Sequence, residues 1–338
     1  MPHFKVENKR VPKINDPLLI IGLGGTGADA LLSIKRKFKE RYVLPVIGGE
    51  QQDKPARTSY LAVDTDAEEL RRRGAADNRL VNAERFELVM PNLEAIIENP
   101  AAMYEWEKSW WDTRIPSNNA RNGAGGFRQV GRLLLFRNAD KLVETLKATI
   151  GNLMGVQRDE AGGSLNVIIA SGISGGTGAG CFMDLPYLIR YIMANFFDGV
   201  TVRIQGYLIM PGVNLKKFNN PNDNDNRRLK TNAFASLKEL DFWMNWKQHE
   251  VVHQQKYTST IKYDWKRAPY DDVVLIGESR EDGTIINNAY TEVMDILSES
   301  LLHNFAAEAN AGAEGEFTYL SHLSNVVNAS MHMNKAFP

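Results

Sequence analysis

The chain has 338 residues, 40 Lys+Arg against 41 Asp+Glu, a net charge of −1 and 43% hydrophobic residues. At about 150 residues per domain this allows two domains, or one large α/β domain with insertions, and a core that needs no staples. The near-neutral charge excludes a non-specific nucleic-acid binder, and the lone cysteine, Cys181, excludes an intrachain disulfide and a cysteine metal cluster and fits a reducing, cytoplasmic compartment.

Residues 1–17 are polar and charged, carry no signal-peptide core and read as an N-terminal extension. Leu18–Leu23 is a short apolar run that ends in glycines, a strand signature. Residues 29–41 have helical spacing, with Leu31, Leu32, Ile34 and Phe38 on one side. A second strand, 59–63, ends at Asp64. Residues 71–122 look inserted, and their aromatics Tyr104, Trp106, Trp110 and Trp111 suggest a helix packed on the domain edge. Residues 166–170 form a third strand. The apolar run 182–197 is broken by Asp184, Pro186 and Arg190, so it is a buried helix and not a membrane span. Strands follow at 201–210 and 273–277, separated by an Asn/Asp-rich stretch, 214–226, that reads as an exposed loop. A further helix is expected over about 289–310, and 312–338 has no defensible strand. Strands alternating with helices predict a three-layer α/β fold with a mostly parallel sheet and helices on both faces.

Three glycine-rich segments carry the chemistry. Gly22-Leu-Gly24-Gly25-Thr26-Gly27 lies directly between a strand and a helix, where backbone N–H groups and the helix N-terminus attract an anion. It also matches a dinucleotide-binding G-x-G-x-x-G, but Asp64 lies well beyond the expected place of that motif's acid. Ser171-Gly-Ile-Ser174-Gly175-Gly176-Thr177-Gly178-Ala-Gly180 repeats the strand–turn–helix setting, with Gly176 and Gly178 as close-approach positions for a ligand. It literally contains G-x-S-x-G, which would make Ser174 a nucleophile, partnered by a histidine such as His303 or His322. Gly123-Ala-Gly125-Gly126-Phe-Arg-Gln-Val-Gly-Arg132 opens another helix. A hydrolase elbow has no use for it, whereas several phosphates need several N–H donors. No G-x-x-x-x-G-K-[ST] occurs, so the chain is not a P-loop NTPase.

In chain order the segments resemble the tubulin/FtsZ GTPase family, and prokaryotic tubulin-like proteins in particular, over about residues 18–310. Residues 19–30 are similar to the first nucleotide loop, with Gly24, Gly25 and Thr26 at its tip. Leu61-Ala-Val-Asp64-Thr-Asp66-Ala resembles the second loop, and 123–132 the loop that faces the γ-phosphate. Gly175-Gly-Thr177-Gly178-Ala-Gly180 resembles the family signature GGGTG[ST]G, with Ser174 in place of its first glycine. Arg227-Arg228 resembles the arginines that open the helix after the fifth strand, and Asp223 or Asp225 would offer a ribose partner. Residues 289–297 resemble the central helix, which implies Tyr290 stacking on guanine and Asp295 accepting its N1–H and N2–H₂. Asp29 stands where such proteins carry an Asn near the base or ribose.

The resemblance implies GTP or GDP as ligand, with Mg²⁺ positioned through water by Asp64 and Asp66. It also implies head-to-tail self-association into filaments, with hydrolysis completed by an acid from the neighbouring subunit. Residues 18–311 would be the GTPase domain, and 312–338 a loop leading toward a second domain that is absent or truncated. That loop has Asn325 but no Asp in frame, which leaves Glu314 and Glu316 as candidates for the acid acting in trans. A hydrolysis-deficient nucleotide-binding scaffold, a serine hydrolase using Ser174 and a dinucleotide oxidoreductase remain the alternatives.

Overall fold

The computed structural model describes residues 12–14, 16–42, 44–47, 50–115, 123–155, 163–218, 223–250, 252–280, 282–305 and 307–308. Six strands form one parallel sheet. In chain order they are β1 (Leu18–Leu23), β2 (Thr58–Asp64), β3 (Arg85–Glu87), β4 (Ser164–Gly172), β5 (Thr201–Ile209) and, after a separate hairpin of β6 (His253–Lys256) and β7 (Lys262–Trp265), β8 (Asp272–Ile276). Their spatial order is β8-β5-β4-β1-β2-β3, every neighbour parallel. All six residues of β1 are buried, as a central parallel strand with both faces covered requires. Side chains alternate between the two faces. Leu19, Ile21, Leu23, Val167 and Ile169 join one core, and Leu18, Ile20, Ile168 and Ala170 join the other.

The second core holds α1 (Gly24–Arg41) against α9 (Ala289–Phe305). The first holds α3 (Arg128–Arg137), α4 (Ala139–Met154) and α6 (Asp184–Phe196). Lys35, fully buried on α1, is held by Glu84 at 2.6 Å and Asp53 at 2.5 Å, which pins the segments around β2 to that helix.

Two stretches differ from the sequence reading. Among its described residues the inserted segment forms no long helix on the domain edge. It supplies the edge strand β3, short helices at Leu93–Glu98 and Glu105–Lys108, and Trp111 to the core. Its asparagines and prolines break any sustained periodicity. The expected loop at 214–226 is largely helical: α7 (Pro211–Phe218) and α8 (Asp223–Met244) enter it from both sides.

The β6–β7 hairpin covers α6. Tyr257 Oη donates to Asp184 Oδ1 at 2.7 Å, and Arg132 donates to the other carboxylate oxygen at 2.8 Å. His253 is stacked on Tyr187 with ring centroids 4.2 Å apart, and burial, aided by nearby Arg132, pushes its pKa down to about 4. A buried neutral histidine binds fewer protons than an unfolded one, so stability is full above the unfolded pKa and falls as pH drops. The melting temperature should therefore decline between pH 6.5 and 4, this group contributing up to about 1.4 kcal/mol per pH unit. His253→Phe should flatten that decline in pH-dependent calorimetry.

Candidate functional site

The strand order reverses between β1 and β4, and in open parallel sheets ligands bind outside the carboxyl ends of strands at such a switch point. The register pairs Gly22 with Ala170 and Leu23 with Ser171, so both glycine-rich turns leave the sheet at the same height. Between them lies a crevice of about 370 Å³, lined by Gly24, Gly25 and Thr26 on one side and Ser174–Gly178 on the other, with Asn214, Glu69 and Arg73 at its walls.

The glycines do two different jobs. A Cβ on Gly27 would lie 2.2 Å from the Ala170 carbonyl oxygen, and one on Gly178 2.2 Å from that of Gly172. On Gly176 it would meet Ala124 at 2.6 Å. The close approaches read from sequence at Gly176 and Gly178 are thus approaches to this protein's own chain. Gly175 is the contrast: it lines the crevice, and its Cβ would meet nothing within 4 Å. Gly24, at φ +69°, takes a left-handed conformation that other residues rarely adopt.

A chain of short bonds locks the second loop to the third. Asp64 Oδ1 accepts from the Thr65 N–H at 2.7 Å and the Thr177 hydroxyl at 2.9 Å. The Thr65 and Thr177 hydroxyls are 2.7 Å apart, and the Ala124 N–H donates to Thr65 Oγ1 at 2.9 Å. Burial, only partly offset by these donors, raises the Asp64 pKa above the usual carboxylate value. Asp66 is drawn into a different task, capping α2 (Ala67–Arg72) by accepting from the Glu69 N–H at 2.9 Å.

Two asparagines that sequence reasoning missed hold the loops from behind. Asn214 accepts from the Thr26 hydroxyl at 3.1 Å and donates to Ser174 Oγ at 2.7 Å. The Asn232 amide donates to the Gly126 and Ser174 carbonyls, both at 2.9 Å. Arg228 packs over the Phe127 ring at 5.0 Å, beside Gly126, and donates to Asp225 at 2.7 Å. Gly125 and Gly126 both have positive φ in the turn before α3. Ser174 is fully buried and its hydroxyl bonds to an amide; among the described residues no histidine touches it, which leaves a nucleophile elbow without a base.

Beside the first turn, Tyr290 Oη donates to Asp29 Oδ2 at 2.5 Å, and Arg73 donates to Asp29 Oδ1 at 2.7 Å. Burial first, and the Asp29 charge second, raise the Tyr290 pKa, so its hydroxyl stays a donor. Asp295 is not brought to this cluster. It faces the second half of α1, where Arg36 donates to it at 2.6 Å and Ser33 at 3.3 Å. Glu314 and Glu316 lie outside the described residues. Among the described residues no group of three or more acidic, His or Cys side chains could hold a metal, and no helix is long and apolar enough to cross a membrane.

Comparison with known proteins decides the family. A family model described as tubulin-like matches residues 19–334, nearly the whole chain. The chain is a tubulin-like protein. No curated protein matches it. Among solved structures, TubZ from Bacillus thuringiensis serovar israelensis, in GDP-form protofilaments, is 16% identical, with 95% of this chain on 62% of that one at TM-score 0.48. CetZ from Methanosaeta thermophila is 14% identical, 93% on 60% at 0.46, and FtsZ from M. jannaschii 16%, 92% on 61% at 0.43. This chain thus spans about 60% of the length of those proteins. With TM-scores below 0.5, these likenesses add nothing to the family match.

The glycines separate by replacement. Gly178→Ala forces a methyl onto a carbonyl and should cost about 1–3 kcal/mol of stability. Gly175→Ala should melt within a degree or two of wild type, since its methyl has open space. Denaturant unfolding of both variants checks this.

Proposed function

We propose that this tubulin-like chain binds a guanine nucleotide in the crevice between its two glycine-rich turns and hydrolyses GTP only when assembled head to tail. The observation that carries the binding half is Gly175. A residue with no neighbour for a side chain has no packing reason to be glycine, and here it lines the crevice at a switch point. The phosphates would take the N–H groups around Gly24–Thr26 and Gly175–Thr177, with Gly125 and Gly126 closing over the terminal phosphate. A Cβ at Gly175 would then compete with the ligand, so Gly175→Ala should bind nucleotide at least tenfold more weakly while staying folded.

The base is assigned to the Asp29–Tyr290 end. Asp29 is the carboxylate at the mouth of α1, and ionised it can accept guanine N1–H and N2–H₂ together. Adenine offers no such pair. Asp295, five residues beyond Tyr290, sits about 7.5 Å further along its helix and is already bonded to Arg36. Calorimetric titration should give GTP and GDP affinities in the micromolar range or tighter, with ATP far weaker. Asp29→Ala should erase most of that preference, and Asp295→Ala should leave it within about twofold. Equal affinity of the wild type for GTP and ATP would overturn the assignment.

Mg²⁺ fits at Asp64. The protein's donors to this carboxylate all go to Oδ1, and a hard cation needs few carboxylates beside phosphate oxygens and water. The ion would neutralise charge on the phosphates, while Thr177 and Thr65 hold the Asp64 carboxylate in one orientation.

Turnover needs a positioned water, and the one acid among the described residues that line the crevice, Glu69, is paired with Arg73 at its wall. Glu314 and Glu316, delivered by a neighbouring subunit, are our candidates. Phosphate release per chain should therefore rise with protein concentration, and Glu314→Gln or Glu316→Gln should remove that rise without weakening GTP binding. A fast rate independent of concentration would place the catalytic acid within the monomer. No release at any concentration would leave a nucleotide-binding scaffold.

A further inference from the structure

The crevice contains very little charge. Its donors are mostly backbone N–H groups, and the only charged side chains among the described residues that line it are Glu69 and Arg73. Arg73 follows α2, outside every glycine-rich motif, as the last of three consecutive arginines. Its side chain is only 12% exposed. The guanidinium lies against the first turn of α1, where a Cβ on Gly25 would meet it at 3.0 Å. There it donates to the Gly25 carbonyl at 3.1 Å, to Asp29 at 2.7 Å and to Glu69 at 3.1 Å.

That accounts for three of the five N–H donors of a guanidinium. Nε is buried without an acceptor. Glu69, the partner on the crevice side, is 56% exposed, so its hold on Arg73 is weak and screened. Asp29 and Gly25 hold one end of the fork against α1, while the other end lines the crevice between the two glycine-rich turns. Resting on the nucleotide reading above, we propose that Arg73 is a phosphate-binding residue of this site: it gives up Glu69 for a phosphate oxygen and supplies the crevice's cationic charge. A planar fork suits this better than an ammonium, because it can keep Asp29 with one nitrogen and reach phosphate with another.

The rival is a purely structural role, in which Arg73 only orients Asp29. The two differ in how the loss depends on phosphate number. We would measure binding of GTP, GDP and guanosine to wild type, Arg73→Lys, Arg73→Gln and Arg73→Ala, at low and high salt, with melting curves to confirm folding. A charge-assisted bond to phosphate should be worth about tenfold or more. Arg73→Gln and Arg73→Ala should therefore lose about tenfold or more for GTP, less for GDP, and almost nothing for guanosine. The GTP loss should shrink at high salt, and Arg73→Lys should fall between these and wild type. If Arg73→Ala fails to fold, the Gln and Lys variants carry the same comparison. Equal losses for all three ligands, or none, with normal wild-type binding would overturn the role of Arg73 alone. A wild type that binds none of the three would overturn the site reading and this inference together.

Discussion

The approach of bare backbone to bare backbone at the ends of two neighbouring parallel strands governs the structure. Gly27 on the first turn of α1 sits against the Ala170 carbonyl of β4, and Gly178 opens α5 (Thr177–Cys181) against Gly172. No larger residue fits either contact. Because the strands are in register, the two helices start side by side, and their N-termini face one crevice. The 123–132 segment is fixed to the 171–180 segment in the same way: an added Cβ on Gly131 would lie 2.4 Å from the Gly176 carbonyl oxygen, and one on Gly180 2.1 Å from that of Arg128. These distances for an added Cβ lie far inside van der Waals contact, so a single methyl here disturbs three loops at once.

The main elements were legible because they depend on local pattern. Apolar runs ending in glycine mark strands that feed helices, and the parallel sheet follows from their alternation. What failed was whatever depends on tertiary partners. Residues 214–226 are polar enough to look like a loop, yet Asn214 is buried because Thr26 and Ser174, both distant in sequence, satisfy its amide. Arg73 lies in a polar stretch that no motif marks, and its bonds to Gly25 and Asp29 bring it to the crevice. Helix α1 begins at Gly24, five residues before its amphipathic pattern, because packing on β4 outweighs the poor helix propensity of glycine. Asp295, read from the motif as a partner of Tyr290, is bonded to Arg36 and Ser33 of α1. Five residues from Tyr290 is about 140° around a helix, which turns the two side chains toward different neighbours of α1.

The electrostatics of the site are sparse and built from neutral groups. Amides of Asn214 and Asn232 and hydroxyls of Thr26, Thr65 and Thr177 hold the loops at fixed distances without introducing charge. Two carboxylates bonded to residues that line the crevice are each restrained. Asp64 is desolvated and tied to Thr177, and Asp29 is clamped between Arg73 and Tyr290. On the nucleotide reading proposed above, such a site suits a ligand that brings its own negative charge.

The central claim, that a guanine nucleotide occupies the crevice between the two turns, is tested most directly by amide hydrogen exchange with and without GTP. The predicted result is slowed exchange at residues 24–29 and 175–178, with added protection across 124–130 that GTP gives and GDP does not. Unchanged exchange at both turns under saturating GTP, or protection confined to residues around Trp110, Met183 and His253, would contradict it.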